Sequence, residues 1–158
     1  MATSLKNLST HTKDNIKDIK NKKFGIVVSE WNDEITTSLF GGALETLLKY
    51  GAQKENIFRK NVPGSFELPL AAQWLAKIKE IDAVICLGCV IQGETRHFEF
   101  ICNAVAQGIT EVGLKYDKPV IFGVLTPDNQ QQALDRAGGK HGNKGDEAAI
   151  TAIKMLGF

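Results

Sequence analysis

Apolar residues in this chain alternate between short continuous runs and stripes spaced three and four apart, starting at Phe24. The runs Phe24–Ser29, Asn56–Val62, Ala83–Ile91 and Val120–Leu125 are short and bounded by turn residues, so they predict four buried strands. Leu39, Ala43, Leu44, Leu47 and Leu48 predict a helix from about Ile35, ended by Tyr50-Gly51 with the glycine just past the last turn. After the Pro63-Gly64 turn, Leu70, Ala71, Trp74, Leu75 and Ile78 predict the buried face of a second helix. Phe98, Ile101, Cys102, Val105 and Ile109 predict a third, running to about Tyr116. A fourth follows Thr126-Pro127-Asp128-Asn129 and runs through Ala137. The glycine-rich break Gly138–Gly145 separates it from a last helix over about Asp146 to Leu156. Gly41-Gly42 inside the first helix costs stability, which predicts close packing against another element.

Strands alternating with helices predict an α/β fold: a parallel sheet covered by helices on both faces. In such sheets a ligand sits beyond the carboxyl ends of the strands. Residues 23–158 read as one domain. Residues 1–22 read as a polar arm carrying Lys6, Lys13, Lys17, Lys20 and Lys22, a solvated face that a neighbouring subunit orders.

Composition narrows the classes of function. The 158 residues are 43% hydrophobic and 23% charged, a globular balance with a sizeable core. A net charge of +1 gives no footprint for nucleic acid or acidic membranes. No apolar run approaches the ~20 residues needed to span a bilayer, and the N-terminus lacks the apolar core of a secretory signal. Cys86 and Cys89 are three apart on a predicted strand, so they point to opposite faces and make a poor metal pair. With Cys102 they read as reduced core residues of a cytoplasmic protein.

The candidate chemistry gathers where strands end. Gly93-Glu94-Thr95-Arg96-His97 lies between the third strand and its helix. The glycine allows close approach to a ligand, and the free amides of a helix start attract anions. His97 suits proton transfer near neutral pH. Taken alone it is an ordinary helix-start residue, and Thr95 an ordinary cap. Convergence with other strand ends is what turns the reading toward a phosphorylated small molecule and acid/base chemistry. Trp31 and Asn32 follow the first strand, Ser65, Phe66 and Glu67 the second, and Thr126, Pro127 and Asp128 the fourth. Two aromatics beside polar groups suit a flat heterocycle. Asn32 and Glu67 can read its hydroxyls or amide edges, and Arg136 and Lys144 can supply positive charge to a phosphate. The GNKG segment lacks the order of a nucleotide-binding loop and follows a helix, so it reads as a chain break.

The segments VVSEWN, VPGSFELP, LGCVIQGETRHFEFI, IFGVLT and QALDRAGGKHGNKGDEAA resemble, in order and nearly throughout the chain from Phe24, the lumazine synthase family. The resemblance implies a three-layer α/β/α sandwich on a four-stranded parallel flavodoxin-like sheet, with an extra N-terminal strand added to a neighbouring subunit. It implies a transferase that joins 5-amino-6-(D-ribitylamino)uracil to 3,4-dihydroxy-2-butanone 4-phosphate. The product is 6,7-dimethyl-8-ribityllumazine, the penultimate intermediate of riboflavin biosynthesis, and phosphate and water are released. Neither cofactor nor metal is implied. By resemblance His97 transfers protons, and Trp31, Asn32, Ser65, Phe66, Glu67, Val90 and Ile91 hold the pyrimidine ring and ribityl chain. Gly93, Glu94, Thr95 and Arg136 bind phosphate, while Phe122 and Lys144 come from the adjacent subunit. Gln92 stands where many members carry arginine and Pro127 where many carry threonine, which bears on phosphate affinity and on the loop after the fourth strand. The implied assembly is a pentamer, with an icosahedral shell of twelve pentamers as the final state and association with riboflavin synthase. Two alternatives remain at this stage: an archaeal-type riboflavin synthase on a similar fold, and a non-catalytic flavin-binding module.

Overall fold

The computed structural model describes residues 18–158. The strands β1 (Phe24–Ser29), β2 (Ile57–Val62), β3 (Ala83–Cys89) and β4 (Val120–Leu125) form one parallel sheet in the order β2-β1-β3-β4. The helices are α1 (Asp33–Lys49), α2 (Leu68–Ala76), α3 (His97–Tyr116), α4 (Gln130–Arg136) and α5 (Lys144–Met155). Sequence periodicity predicts each of them within a few residues. No helix among the described residues is long and apolar enough to cross a membrane. The lysine-bearing arm before residue 18, and any strand it adds to a neighbour, lie outside the described residues. The part of that segment that is described packs on the domain: Ile19 is buried with Phe24, and Lys22 pairs with Asp82 at 2.9 Å.

The two central strands are buried along their whole length, which is why β1 and β3 read as unbroken apolar runs. Alternation sends their side chains to two cores. Ile26, Val28, Ile85 and Leu87 pack with α1 and α5, while Val27, Val84 and Cys86 pack with α2 and α3. Cys86 and Cys89 therefore lie on opposite faces, as their spacing predicts. Strand β2 lies at one edge of the sheet and exposes Phe58 to Asn61, in keeping with its mixed sequence.

Helix α1 ends in a Schellman motif. Gly51 adopts φ 101°, and the amides of Gly51 and Ala52 donate to the carbonyls of Leu48 and Leu47 at 3.0 Å each. Its contact with α5 depends on glycine. A Cβ on Gly42 would lie 2.6 Å from Asn143 Cγ, and one on Gly145 would overlap the Leu39 carbonyl oxygen. Gly41, by contrast, faces open space. Asn143 completes this junction: its amide nitrogen donates to the Ser38 carbonyl at 2.9 Å, and its Oδ1 accepts from Gly145 N at 2.8 Å.

Two expectations change. Of the expected face of α2, Ala71 and Leu75 are buried as predicted, but Leu70, Trp74 and Ile78 are exposed, and Leu68, Ala72 and Ala76 complete the buried face. The small side chains face inward because α2 packs closely on α3, where a Cβ on Gly108 would come within 2.8 Å of Pro69 Cβ. The break at Gly138–Gly145 is also more ordered than a simple interruption. It contains the antiparallel hairpin β5 (Ala137–Gly139) and β6 (Gly142–Asn143), with Gly138 and Gly142 at φ 110° and 76°.

Gly145→Ala is expected to cost about 3 kcal/mol through overpacking against Leu39, whereas Gly41→Ala should be neutral or stabilising by up to ~1 kcal/mol. Thermal melts at one protein concentration check both, and a Gly145→Ala protein as stable as the parent overturns the packing argument. Burial pushes the Cys86 and Cys89 thiols up to about 12, with Cys102 contributing to the second. The protonated thiols are favoured in the folded state, so their contribution to stability is complete below the ordinary value of 9.0 and is lost between there and about 12. Because the thiolate is the reactive form, both cysteines should ignore a disulfide reagent at pH 8 until denaturant is added.

Candidate active site

Parallel pairing places the carboxyl ends of all four strands along one side of the sheet. Beyond the strands, backbone bonds continue the pairing. Glu30 N and Trp31 N donate to the Val62 and Pro63 carbonyls at 2.8 and 3.0 Å, and Val90 N and Gln92 N donate to those of Leu125 and Pro127 at 2.8 and 2.9 Å. These bonds hold Trp31 and Asn32 beside the Pro63–Glu67 turn, and Val90–Gln92 beside Thr126 and Pro127. Pro127 leaves this link intact because its carbonyl, not the missing N–H, makes the bond.

Asn32 joins the first strand end to the third. Its Nδ2 donates to the Cys89 carbonyl at 3.0 Å, and its backbone adopts φ 60°, a left-handed conformation that asparagine tolerates. Its amide nitrogen is therefore committed to the scaffold rather than free for a ligand. Glu67 is half committed: its Oε2 accepts from Gly64 N at 2.9 Å, which closes the turn and leaves the other oxygen available. Between them the aromatics project outward, with Trp31 73% and Phe66 56% exposed. Large apolar surfaces this open need a partner, whether ligand or protein. Ser65 is buried, and its hydroxyl has no hydrogen-bond partner.

The glycine turn is open. Gly93, Glu94 and Thr95 are exposed, and a Cβ on Gly93 would meet nothing within 4 Å. Packing does not demand glycine at Gly93, so the open space beside it is available to a ligand. Gln92 Nε2 folds onto the Gly93 carbonyl at 3.1 Å. Thr95 Oγ1 accepts from His97 N at 3.4 Å, a long capping contact. His97 is the first residue of α3, and its exposed imidazole makes no hydrogen bond to another described residue. Arg96 is turned aside, paired with Glu99 at 3.1 Å and set over the Phe100 ring.

Phe122, Arg136 and Lys144 belong to a different surface. They line a groove of about 1040 Å³ beside β4, the strand at the other edge of the sheet, between α3 and α5. None of Trp31, Asn32, Ser65, Phe66, Glu67, Val90, Ile91, Gly93, Glu94, Thr95 or His97 lines it. Arg136, which the resemblance assigns to the phosphate, lines the same groove as Phe122 and Lys144, the two residues it ascribes to a neighbour. Its Nη1 donates to the Gln132 carbonyl at 3.1 Å, and it is half-buried. The adjacent Asp135 is paired elsewhere, with Lys140 at 2.9 Å, and that contact together with Gln131 holds its carboxyl below the usual range. Lys144 Nζ lies 2.7 Å from Glu147 Oε2. Sequence reasoning singled out Lys144 but not Glu147, whose role is visible only as the lysine's partner. The only hint was their i, i+3 spacing at a helix start. Among the described residues no group of three or more His, Cys, Asp or Glu side chains could hold a metal ion.

A single chain thus presents two separate sets of candidate residues. One carries rings, a glycine turn and a free imidazole; the other carries an arginine, a lysine and an aromatic in an open groove. A family model described as 6,7-dimethyl-8-ribityllumazine synthase matches residues 21–158. A protein of that name from Cytophaga hutchinsonii is 69% identical over 156 residues, covering 99% of this chain and 98% of its own. One from Parabacteroides distasonis is 56% identical over 158 residues, covering 100% and 99%. A third, from Flavobacterium johnsoniae, is 56% identical over 155 residues, covering 98% and 82%. By these matches along nearly its full length, the chain belongs to the 6,7-dimethyl-8-ribityllumazine synthase family.

Proposed function

We propose that this protein is a 6,7-dimethyl-8-ribityllumazine synthase. It is a transferase that condenses 5-amino-6-(D-ribitylamino)uracil with 3,4-dihydroxy-2-butanone 4-phosphate in the penultimate step of riboflavin biosynthesis. The observation that carries this reading is the family match across residues 21–158. The strand-end geometry supports it.

The pyrimidine lies among Trp31, Phe66, Val90 and Ile91, with the free oxygen of Glu67 and the backbone near Ser65 toward its polar edge and ribityl chain. Asn32 contributes through its clip to Cys89, which positions Trp31. The phosphate meets the Gly93–Glu94–Thr95 turn and the first amides of α3. Imine formation moves protons at a carbinolamine, and His97, with its imidazole unencumbered, serves that transfer. Phosphate departure needs its charge stabilised, and Arg136 supplies a cation with no carboxylate partner among the described residues. Holding both reactants in register supplies the remaining advantage, largely entropic.

In this reading the site lies between two subunits. The groove bearing Phe122, Arg136 and Lys144 completes the His97 half of a neighbouring copy. The exposed apolar residues Leu70, Trp74, Phe100 and Leu114 support a homo-oligomer, because a monomer rarely leaves so many large side chains in water. The assembly is a pentamer, with the icosahedral shell as its final state. Three free cysteines fit a reducing, cytoplasmic setting.

Mixing the two substrates and following lumazine fluorescence above the protein-free rate tests the reaction; saturable acceleration is the expected result. His97→Ala should lower kcat by roughly 10- to 100-fold, and Arg136→Ala should raise KM for the butanone phosphate about 10-fold or more. Oligomers reassembled from the two variants together should recover activity that neither has alone. No recovery would place both residues in one subunit's site, and a monomer by light scattering would remove the shared site altogether. Riboflavin formed from lumazine alone would favour the archaeal-type synthase instead.

A further inference from the structure

Glu147 is one of two buried charged residues among the described residues, the other being Asp135. Its carboxylate lines the groove beside β4 and meets Lys144 at 2.7 Å, with the two side chains only 11% and 21% exposed. Lys144 is the first residue of α5. A helix start carries positive partial charge from its free amides, so a lysine there is the disfavoured sign. Glu147, one turn on, offsets both the lysine and that end of the helix. Arg136 in the same groove has no such partner, since its Nη1 meets only the Gln132 carbonyl and Asp135 is held by Lys140. Between α4 and the start of α5 the groove therefore presents one compensated cation, Lys144, and one uncompensated cation, Arg136; Lys118, which also lines the groove, precedes β4 and donates to the Ile78 carbonyl at 2.6 Å.

We propose that Glu147 is a positioning and specificity-determining residue of the substrate site: it compensates the charge of Lys144, so that the Lys144 ammonium donates hydrogen bonds to the uncharged pyrimidine while Arg136, not Lys144, is the side-chain cation that takes the phosphate. The proposal rests on the reading given under Proposed function. An ammonium has three donors, and the bond to Glu147 uses one, leaving two for a carbonyl or ring nitrogen. Were Lys144 uncompensated, a phosphate dianion entering the groove would be drawn to both cations. The phosphate product would then compete with the pyrimidine for the lysine. The carboxylate sorts the two substrates by charge and fixes where the lysine points.

The test is Glu147→Gln in the full-length, assembled protein; glutamine keeps the length and one acceptor oxygen while removing the charge. Calorimetric titration with orthophosphate should show binding about tenfold tighter than in the parent, the difference between a charge-assisted and a compensated contact. In steady-state kinetics KM for the pyrimidine should rise about tenfold while kcat at saturation changes less than ~3-fold. Glu147→Asp, which keeps the charge but shortens the reach, should retain the parent's orthophosphate affinity and raise only the pyrimidine KM. The double variant Lys144→Gln/Glu147→Gln should return orthophosphate affinity to that of the parent. Unchanged orthophosphate binding in Glu147→Gln, or equal losses for both substrates together with a lowered Tm, would reduce the pair to a helix brace and overturn the proposal. If Glu147→Gln does not assemble, the Glu147→Asp and double variants decide by the same readouts. If the parent makes no lumazine, the assigned reaction fails, while the orthophosphate titrations still report whether Glu147 sets the groove's charge.

Discussion

Parallel register is the constraint from which the rest follows. With β1 aligned on β2 and on β3, and β3 on β4, all four carboxyl ends open on the same side. The backbone bonds from Trp31 to Pro63 and from Gln92 to Pro127 carry that alignment into the loops, and the Asn32 side chain ties the first strand end to the third. Segments far apart in sequence are thereby held side by side by backbone pairing and one side-chain bond. Loops would otherwise lose that order to conformational entropy. A site assembled from backbone pairing has little freedom to drift, which suits a condensation whose main demand is registration of two reactants.

The same sheet explains why the candidate residues fall in two sets. Strand β4 has no neighbour on its outer side, so the groove beside it opens to solvent with Phe122, Arg136 and Lys144 along its wall. The His97 half lies over the interior strand ends. Charge is divided as well. Asp135 occupies Lys140, Glu147 occupies Lys144 and Glu99 occupies Arg96, which leaves Arg136 without a carboxylate beside the start of α5, while Lys118, before β4, donates to the Ile78 carbonyl. An anion entering there meets one preferred partner rather than a diffuse field.

Much of this was legible in the residues. Central strands buried on both faces produce continuous apolar runs, so β1 and β3 announced themselves. The motifs after each strand marked the His97 half, because turn chemistry and reactive side chains are local properties of sequence. Local periodicity could not tell which side of α2 faces the sheet. Ala71 and Leu75 are buried as the periodicity suggests, yet Leu70, Trp74 and Ile78, four apart, are exposed and the alanines Ala72 and Ala76 take their place. Close packing on α3 selects small side chains, and that distance is a property of two helices together. The glycine pair in α1 gave the same lesson: Gly42 is pressed against the start of α5, while Gly41 faces open space.

By itself, then, the sequence determined the order of strands and helices, the polarity of the sheet, the residues at each strand end and, through its motifs, the family. These depend on periods and spacings within a few turns of chain. The tertiary structure alone decided that Arg136 stands with Phe122 and Lys144 rather than with the glycine turn, that Asn32 spends its amide on the scaffold, and that Glu147 neutralises Lys144. Each of these is a distance between side chains, and only the packing of the helices against the sheet's two faces and edges sets it.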